Sequence, residues 1–109
     1  MTALARSRHA AGTPSSPLYL DLPVGVHPRG FDAFIRPDLF LTSAEAGAPP
    51  DDLNPRGQAW GFAPLHPTAG RADGYAYLRA VLRQMLSVAG VLRIDHVMGL
   101  YRMFCIPNG

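Results

Sequence analysis

The chain has 109 residues, of which 48% are hydrophobic and 17% are charged, so it can form one modest domain and is too apolar to be disordered. The chain has arginines but no lysine, and its formal net charge is +2. The arginines are scattered and form no basic run, which argues against a nucleic-acid partner. No stretch approaches the roughly 20 apolar residues of a membrane-spanning helix, which argues against a membrane protein.

The first half of the chain predicts little regular structure. Residues 1–11 fit a short helix, and they lack the apolar core of a signal peptide. Residues 18–22 follow a turn rich in proline and serine and have the apolar character of a buried strand. Residues 23–72 contain most of the prolines and are predicted to be mainly loop, with one helical turn at 32–35.

The second half predicts the clearest helix, at residues 73–89. Apolar side chains recur there at three- and four-residue spacing, Asp73 can cap the first turn, and Gly90 can end the helix. Val91–Asp95 is then a second strand, and Tyr101 and Arg102 are assigned to a helix that follows it.

The order strand, helix, strand predicts a crossover between parallel strands. Two parallel strands with one or two helices cannot cover both faces of their sheet, so we expect an α/β fold that is a fragment of a (β/α)8 TIM barrel. In this interpretation residues 1–17 are a poorly defined N-terminal segment, and residues 18–109 are part of the catalytic barrel domain.

Ionisable side chains lie where the two predicted strands end. Side chains alternate along a strand, so Arg93 and Asp95 share one face, and Asp21 lies near the end of the other strand. Catalytic residues of barrels occupy the C-terminal ends of strands, and a neighbouring guanidinium would keep Asp95 ionised, as a glycosidase nucleophile must be. Asp21 could accept a hydrogen bond from Arg93 across the strand ends. The alternative is a surface salt bridge or a capped turn.

The segment LRIDHVMG (92–99) closely resembles the nucleophile motif of the 4-α-glucanotransferases of glycoside hydrolase family 77. Three more segments resemble that family in the same order, namely YLDLPVGVHPRGFDAF (19–34), GAPPDDLNPRGQAWGFAPL (47–65) and RADGY (71–75). Since the resemblance covers residues 18–109, it identifies the chain as a member of this family.

The resemblance implies a retaining transglycosylase that acts on α-1,4-glucans and maltooligosaccharides through a covalent glycosyl-aspartate. It implies that Asp95 is the nucleophile and that Arg93 orients it. It further implies substrate-binding roles for His96, Asp21, Gln58, Trp60 and Asp51. An indole face can stack on a sugar ring, and an amide can hydrogen-bond with hydroxyls. No metal or organic cofactor is implied, and the single Cys105 fits a reducing, cytoplasmic location.

A retaining mechanism also needs a general acid/base, and in the resembled family that glutamate and a third carboxylate lie beyond the segment present here. We therefore expect the 109-residue chain alone to be inactive. Two alternatives stay open: an α-amylase-type glucan hydrolase, and an inactive truncated product that at most binds carbohydrate. Taken singly, Trp60 could be a packing aromatic, Gln58 a surface amide, His96 a satisfied polar residue and Asp51 a turn residue.

Overall fold

The computed structural model describes residues 2–6 and 18–109, and within them it has mixed α/β architecture with two three-stranded sheets. The strands are β1 (Thr2–Arg6), β2 (Tyr19–Leu22), β3 (Ala44–Ala48), β4 (Gln58–Ala59), β5 (Val91–Asp95) and β6 (Phe104–Pro107). The helices are α1 (Phe31–Ile35), α2 (Pro67–Ala72), α3 (Ala76–Val88) and a 3-10 helix at Val97–Leu100. The predicted α/β class, the two principal strands and the helical turn after residue 30 are thus confirmed.

The first sheet has the order β1-β5-β2 and places Leu92 at its buried centre. β2 and β5 are parallel, with Asp21 opposite Arg93, which confirms the predicted crossover. β1 pairs antiparallel with the other edge of β5, so the sheet is mixed. The helix predicted for residues 1–11 is wrong for Thr2–Arg6, because the open edge of β5 offers backbone hydrogen bonds to an extended segment. The remaining residues of that prediction lie outside the described part of the chain.

The second sheet, β4-β3-β6, was not predicted. β3 is antiparallel to both neighbours and has the sequence AEAGA, whose alanines and glycine have low strand propensity. The sheet forms because small residues allow close approach: Ala46 is fully buried, and a Cβ at Gly47 would lie 2.2 Å from the carbonyl oxygen of Gln58. The helix predicted around Tyr101 and Arg102 is also wrong, since these residues connect the 3-10 helix to β6.

The long helix is shorter than predicted. Gly74 and Tyr75 have φ values of 62° and 56°, and these left-handed residues separate α2 from α3. Asp73 therefore ends α2, although one of its carboxylate oxygens accepts a hydrogen bond from the backbone N–H of Tyr77 at 3.1 Å. The helix ends at Val88, just before Gly90, as expected.

The loop-rich segment packs around its own small core of Ala33, Leu39, Phe40 and Ala63. Tyr77 attaches α3 to this core: its ring meets Phe40 edge to face, with centroids 5.2 Å apart, and its hydroxyl donates to Asp32. The segment before α3, which contains β3 and β4, is therefore packed against that helix. No helix in the described residues is long and apolar enough to cross a membrane.

Candidate active site

Arg93 joins two carboxylates at the ends of neighbouring parallel strands. Because the register of β2 and β5 places Asp21 opposite Arg93, Nη1 donates to Asp21 Oδ1 at 3.0 Å. Nη2 donates to Asp95 Oδ1 at 3.1 Å. The contact predicted between Asp21 and Arg93 is thus present, and a single guanidinium orients both acidic side chains.

The charges of this group are partly exposed to solvent. The side chain of Arg93 is 33% exposed, and those of Asp21 and Asp95 are about half exposed. The hydrogen bond with Asp21 raises the pKa of the Arg93 guanidinium, desolvation opposes this shift, and the charge of Asp95 adds to it. Arg93 therefore stays cationic and provides the positive charge next to both carboxylates.

Asp95 is held by one of its two oxygens. Within residues 18–109, its hydrogen bonds come from Arg93 and from the backbone N–H of His96, the latter at 3.1 Å, and both are made to Oδ1. Two donors on one oxygen fix the plane of the carboxylate. The other oxygen, Oδ2, is then suited to attack an electrophilic carbon.

His96 directly follows β5 and has an unusual backbone conformation. Its φ of 46° and ψ of 56° are left-handed, a region that non-glycine residues adopt at a cost of about 1–2 kcal/mol. This turn directs the chain into the 3-10 helix and brings the imidazole ring against Trp60, with centroids 5.2 Å apart and an interplanar angle of 75°. Strain of this kind concentrates at functional sites.

The opposite wall comes from β4 and the residues that follow it. The Trp60 indole N–H donates to Gln58 Oε1 at 3.2 Å, and the Trp60 backbone N–H donates to the carbonyl of Ala46 at 3.0 Å. Both side chains are therefore held by a segment that is itself bound to β3.

These two walls enclose a cleft of about 400 Å³, a volume within the usual range for small-molecule sites. It is lined by Val24, Gln58, Trp60, Phe62, Asp95 and His96. Four of these residues were predicted from the sequence, while Arg93 and Asp21 support the site through hydrogen bonds. Val24 and Phe62 were missed, because both lie in the segment 23–72 that was predicted to be mainly loop.

Comparison with known proteins shows which family the chain belongs to. The family model described as 4-alpha-glucanotransferase, glycoside hydrolase family 77, matches residues 1–109. The chain belongs to this family.

Individual members of the family are similar over most of the chain. A 4-alpha-glucanotransferase of Mycobacterium tuberculosis is 40% identical over 107 residues, covering 98% of this chain and 15% of that protein. One of Haemophilus influenzae is 45% identical over 92 residues, covering 84% of this chain and 13% of that protein. The crystal structure of amylomaltase from Corynebacterium glutamicum is 43% identical, with a TM-score of 0.77 over 83% of this chain and 13% of that one. The chain therefore spans about 13–15% of the length of these family 77 relatives.

Asp51 is placed differently from the other predicted family 77 site residues. Its Oδ1 accepts hydrogen bonds from the backbone N–H groups of Leu53, at 2.9 Å, and Asn54, at 2.6 Å. Asp51 does not belong to the described residues that line the cleft. These contacts are those of a turn residue, and a contact with substrate stays a prediction.

Proposed function

We propose that this chain supplies the nucleophile and part of the sugar-binding cleft of a 4-α-glucanotransferase. The reaction transfers a segment of an α-1,4-glucan to the 4-hydroxyl of glucose or a maltooligosaccharide. The observation that carries the proposal is Asp95: its Oδ1 is fixed by Arg93 and by a backbone N–H, and it faces a cleft whose other wall is Gln58 and Trp60. The names of the family 77 relatives support the same reaction.

The proposed chemistry has two displacements at the anomeric carbon. Asp95 Oδ2 attacks this carbon, an ester bond forms to the enzyme, and the glycosidic C–O bond breaks with a proton delivered to the leaving oxygen. The 4-hydroxyl of the acceptor then gives up its proton and displaces Asp95, so the product keeps the configuration of the donor. The indole of Trp60 offers an apolar face for the sugar ring, and Gln58 offers an amide for its hydroxyls.

The proposal places the general acid/base and a third carboxylate outside this chain, in keeping with the small share of each relative that the chain spans. It also includes the (β/α)8 barrel. Three observations support the barrel: β2 and β5 are parallel, Asp21 and Asp95 lie near their C-terminal ends, and the C. glutamicum amylomaltase has a similar fold. A cytoplasmic location completes the proposal.

Incubation with maltotriose tests the reaction type. The natural polypeptide that contains this chain should convert maltotriose into glucose and longer oligosaccharides, because a sugar acceptor takes up the glycosyl group. An α-amylase-type hydrolase would give only shorter products, and an inactive carbohydrate-binding remnant would leave maltotriose unchanged. Chromatography of the products separates these three outcomes.

Trapping the intermediate tests the nucleophile. Asp95→Asn in the natural polypeptide should lower transfer by about 10⁴-fold or more, as expected for loss of a catalytic nucleophile. A mechanism-based fluoroglycoside should label Asp95 in the unmodified protein, and peptide mass spectrometry locates the label. A label on Asp21 or Asp51 would contradict the assignment.

A further inference from the structure

The hydrogen bonding between β3 and the segment after β4 is interrupted at one residue. The carbonyl of Ala46 accepts from Trp60 N at 3.0 Å, and Ala46 N donates to the carbonyl of Phe62 at 2.8 Å. Gly61 lies between these two bonds and takes no part in them. Its N–H instead donates to Oε2 of Glu45 at 2.8 Å.

Gly61 occupies this position because of its backbone. Its φ is 74°, and an added Cβ would meet no heavy atom within 4 Å, so conformation rather than space favours glycine here. Gly61 is a point of this segment that its backbone hydrogen bonds with β3 do not restrain. A hydrogen bond to a charged carboxylate is stronger than one to a neutral acceptor, so Glu45 restrains that point.

The residues on either side of Gly61 form the wall of the cleft. Trp60 and Phe62 both line it, and the Trp60 ring contacts His96 and Gln58. A rotation of the peptide bond between Trp60 and Gly61 would move the indole relative to Asp95. Among the described residues Glu45 forms no ion pair, so its observed hydrogen bond is to this one peptide.

We propose that Glu45 is a positioning residue of the cleft. Its carboxylate fixes the Trp60–Gly61 peptide and thereby the plane of the indole on which the donor sugar stacks. The identity of the sugar rests on the function proposed above, whereas the restraint on Trp60 does not.

The test compares three variants of the natural polypeptide that contains this chain. Glu45→Ala removes the acceptor, Glu45→Gln keeps an acceptor oxygen without the charge, and Asp38→Ala removes a carboxylate from an exposed ion pair with Arg36. With maltotriose, Glu45→Ala should raise KM about fivefold to tenfold, the size expected for one lost hydrogen bond, with kcat within about twofold. Glu45→Gln should restore most of the affinity, and Asp38→Ala should match the unmodified protein.

A second measurement needs no substrate. The protein is labelled with 5-fluorotryptophan, and the ¹⁹F signal of Trp60 is assigned by its loss in Trp60→Phe. Glu45→Ala should shift and broaden this signal, and Glu45→Gln should return it towards its original position.

The outcomes are distinct. An unchanged Trp60 signal in Glu45→Ala, or an unchanged KM in an active protein, overturns the positioning role. Equal effects of Glu45→Ala and Glu45→Gln also overturn it, because glutamine keeps an acceptor oxygen and the hydrogen bond to Gly61 would then not be what holds Trp60. If the unmodified protein transfers no glucan but the Trp60 signal responds as expected, the proposed function fails and the restraint by Glu45 stands.

Discussion

At the scale of single residues, Arg93 is the centre of the site. It donates one hydrogen bond within β5, to Asp95, and one across to β2, to Asp21. A planar guanidinium can satisfy both geometries at once, whereas an ammonium group is a single point charge on a flexible stem. The orientation of the proposed nucleophile therefore depends on the neighbouring strand as well as on its own.

This dependence predicts coupled effects of mutation. Arg93→Lys should lower the transfer rate by about 100-fold, an effect that a misplacement of roughly 1 Å can produce. Asp21→Asn should lower the rate less, because Arg93 keeps its bond to Asp95. The transfer rates of the two single variants and of the double variant form a double-mutant cycle. The fold-loss of rate in the double variant should be smaller than the product of the two single fold-losses. Strictly independent effects would contradict the coupling.

The sequence was sufficient to predict this group of residues. Alternation placed Arg93 and Asp95 on one face of β5 and Asp21 near the end of the neighbouring strand, and the parallel register brought the three side chains into contact. Glu45 could not be found in this way. Its proposed role depends on Gly61, which lies 16 positions further along the chain, and no local sequence pattern indicates that contact.

At the scale of elements, β3 determines where the Trp60 wall lies. Gly47 is opposite Ala59 in β4 and Phe104 in β6, and its missing side chain permits the close approach of the Gln58 backbone.

Gly47→Ala should therefore disturb both stability and the site. The added methyl group would lie 2.2 Å from the Gln58 carbonyl oxygen and 2.9 Å from Ile106 Cδ1, so β4 must move. We expect a destabilisation of about 1–3 kcal/mol, typical of overpacking, together with a higher KM for maltotriose. Urea unfolding and steady-state kinetics of the natural polypeptide that contains this chain measure the two effects. Gly74→Ala is a matched control, because its Cβ has free space but its φ of 62° is strained. It should destabilise the protein without changing KM.

Helix α3 depends on Tyr77 for its attachment to the segment that carries the second sheet. Burial, and then the hydrogen bond to Asp32, raise the pKa of the Tyr77 hydroxyl above its ordinary value. A raised pKa means that the folded state favours the protonated hydroxyl. The stabilisation is therefore complete below about pH 10, the ordinary value for tyrosine, and is lost as the pH rises above it.

Tyr77→Phe keeps the aromatic ring but removes the hydroxyl. In the natural polypeptide that contains this chain, at neutral pH, it should lower the free energy of unfolding by about 0.5–1.5 kcal/mol, the usual net contribution of one hydrogen bond. Above pH 10 the difference between the variant and the unmodified protein should shrink. Urea unfolding at pH 8 and pH 11 checks both statements, and a difference that grew with pH would contradict them.

The elements that sequence patterns predicted are those with strong local signals. β5 has β-branched residues and ends at a polar motif, and α3 has an apolar stripe. β3 lacks such signals, since it is made of alanine, glycine and glutamate and gains its stability from partners far along the chain. α3 was predicted too long because the left-handed pair Gly74 and Tyr75 breaks an otherwise continuous helical pattern.

At the scale of the whole molecule, much apolar surface is uncovered. Phe31, Phe34, Leu53 and Tyr101 are 76–90% exposed, and no residue of α3 is fully buried. A groove of about 580 Å³ runs between the loop-rich segment and the first sheet, and apolar side chains such as Leu22, Ile94 and Leu100 line much of it. Surfaces of this kind are normally covered by another part of the protein.

We therefore expect the 109-residue chain to behave differently from the natural polypeptide that contains it. Expressed alone, it should bind a hydrophobic dye, show no cooperative melting transition and give no transfer with maltotriose. General acid–base assistance is commonly worth about 10²–10⁴-fold, and the proposal places that group outside the chain. Calorimetry and a maltotriose assay test this, and a sharp melting transition with measurable transfer would show that the chain is self-sufficient.

The antiparallel pairing of β1 has a consequence for barrel closure. A strand has two edges, and β5 pairs with β2 along one edge and with β1 along the other. In a closed parallel barrel each strand has a parallel neighbour on both edges. The pairing of Thr2–Arg6 and the closure of the proposed barrel around β5 are therefore mutually exclusive, and β1 must be displaced before a second parallel neighbour can join. Since Thr2 lies opposite Asp95, that exchange of strands would take place beside the proposed nucleophile.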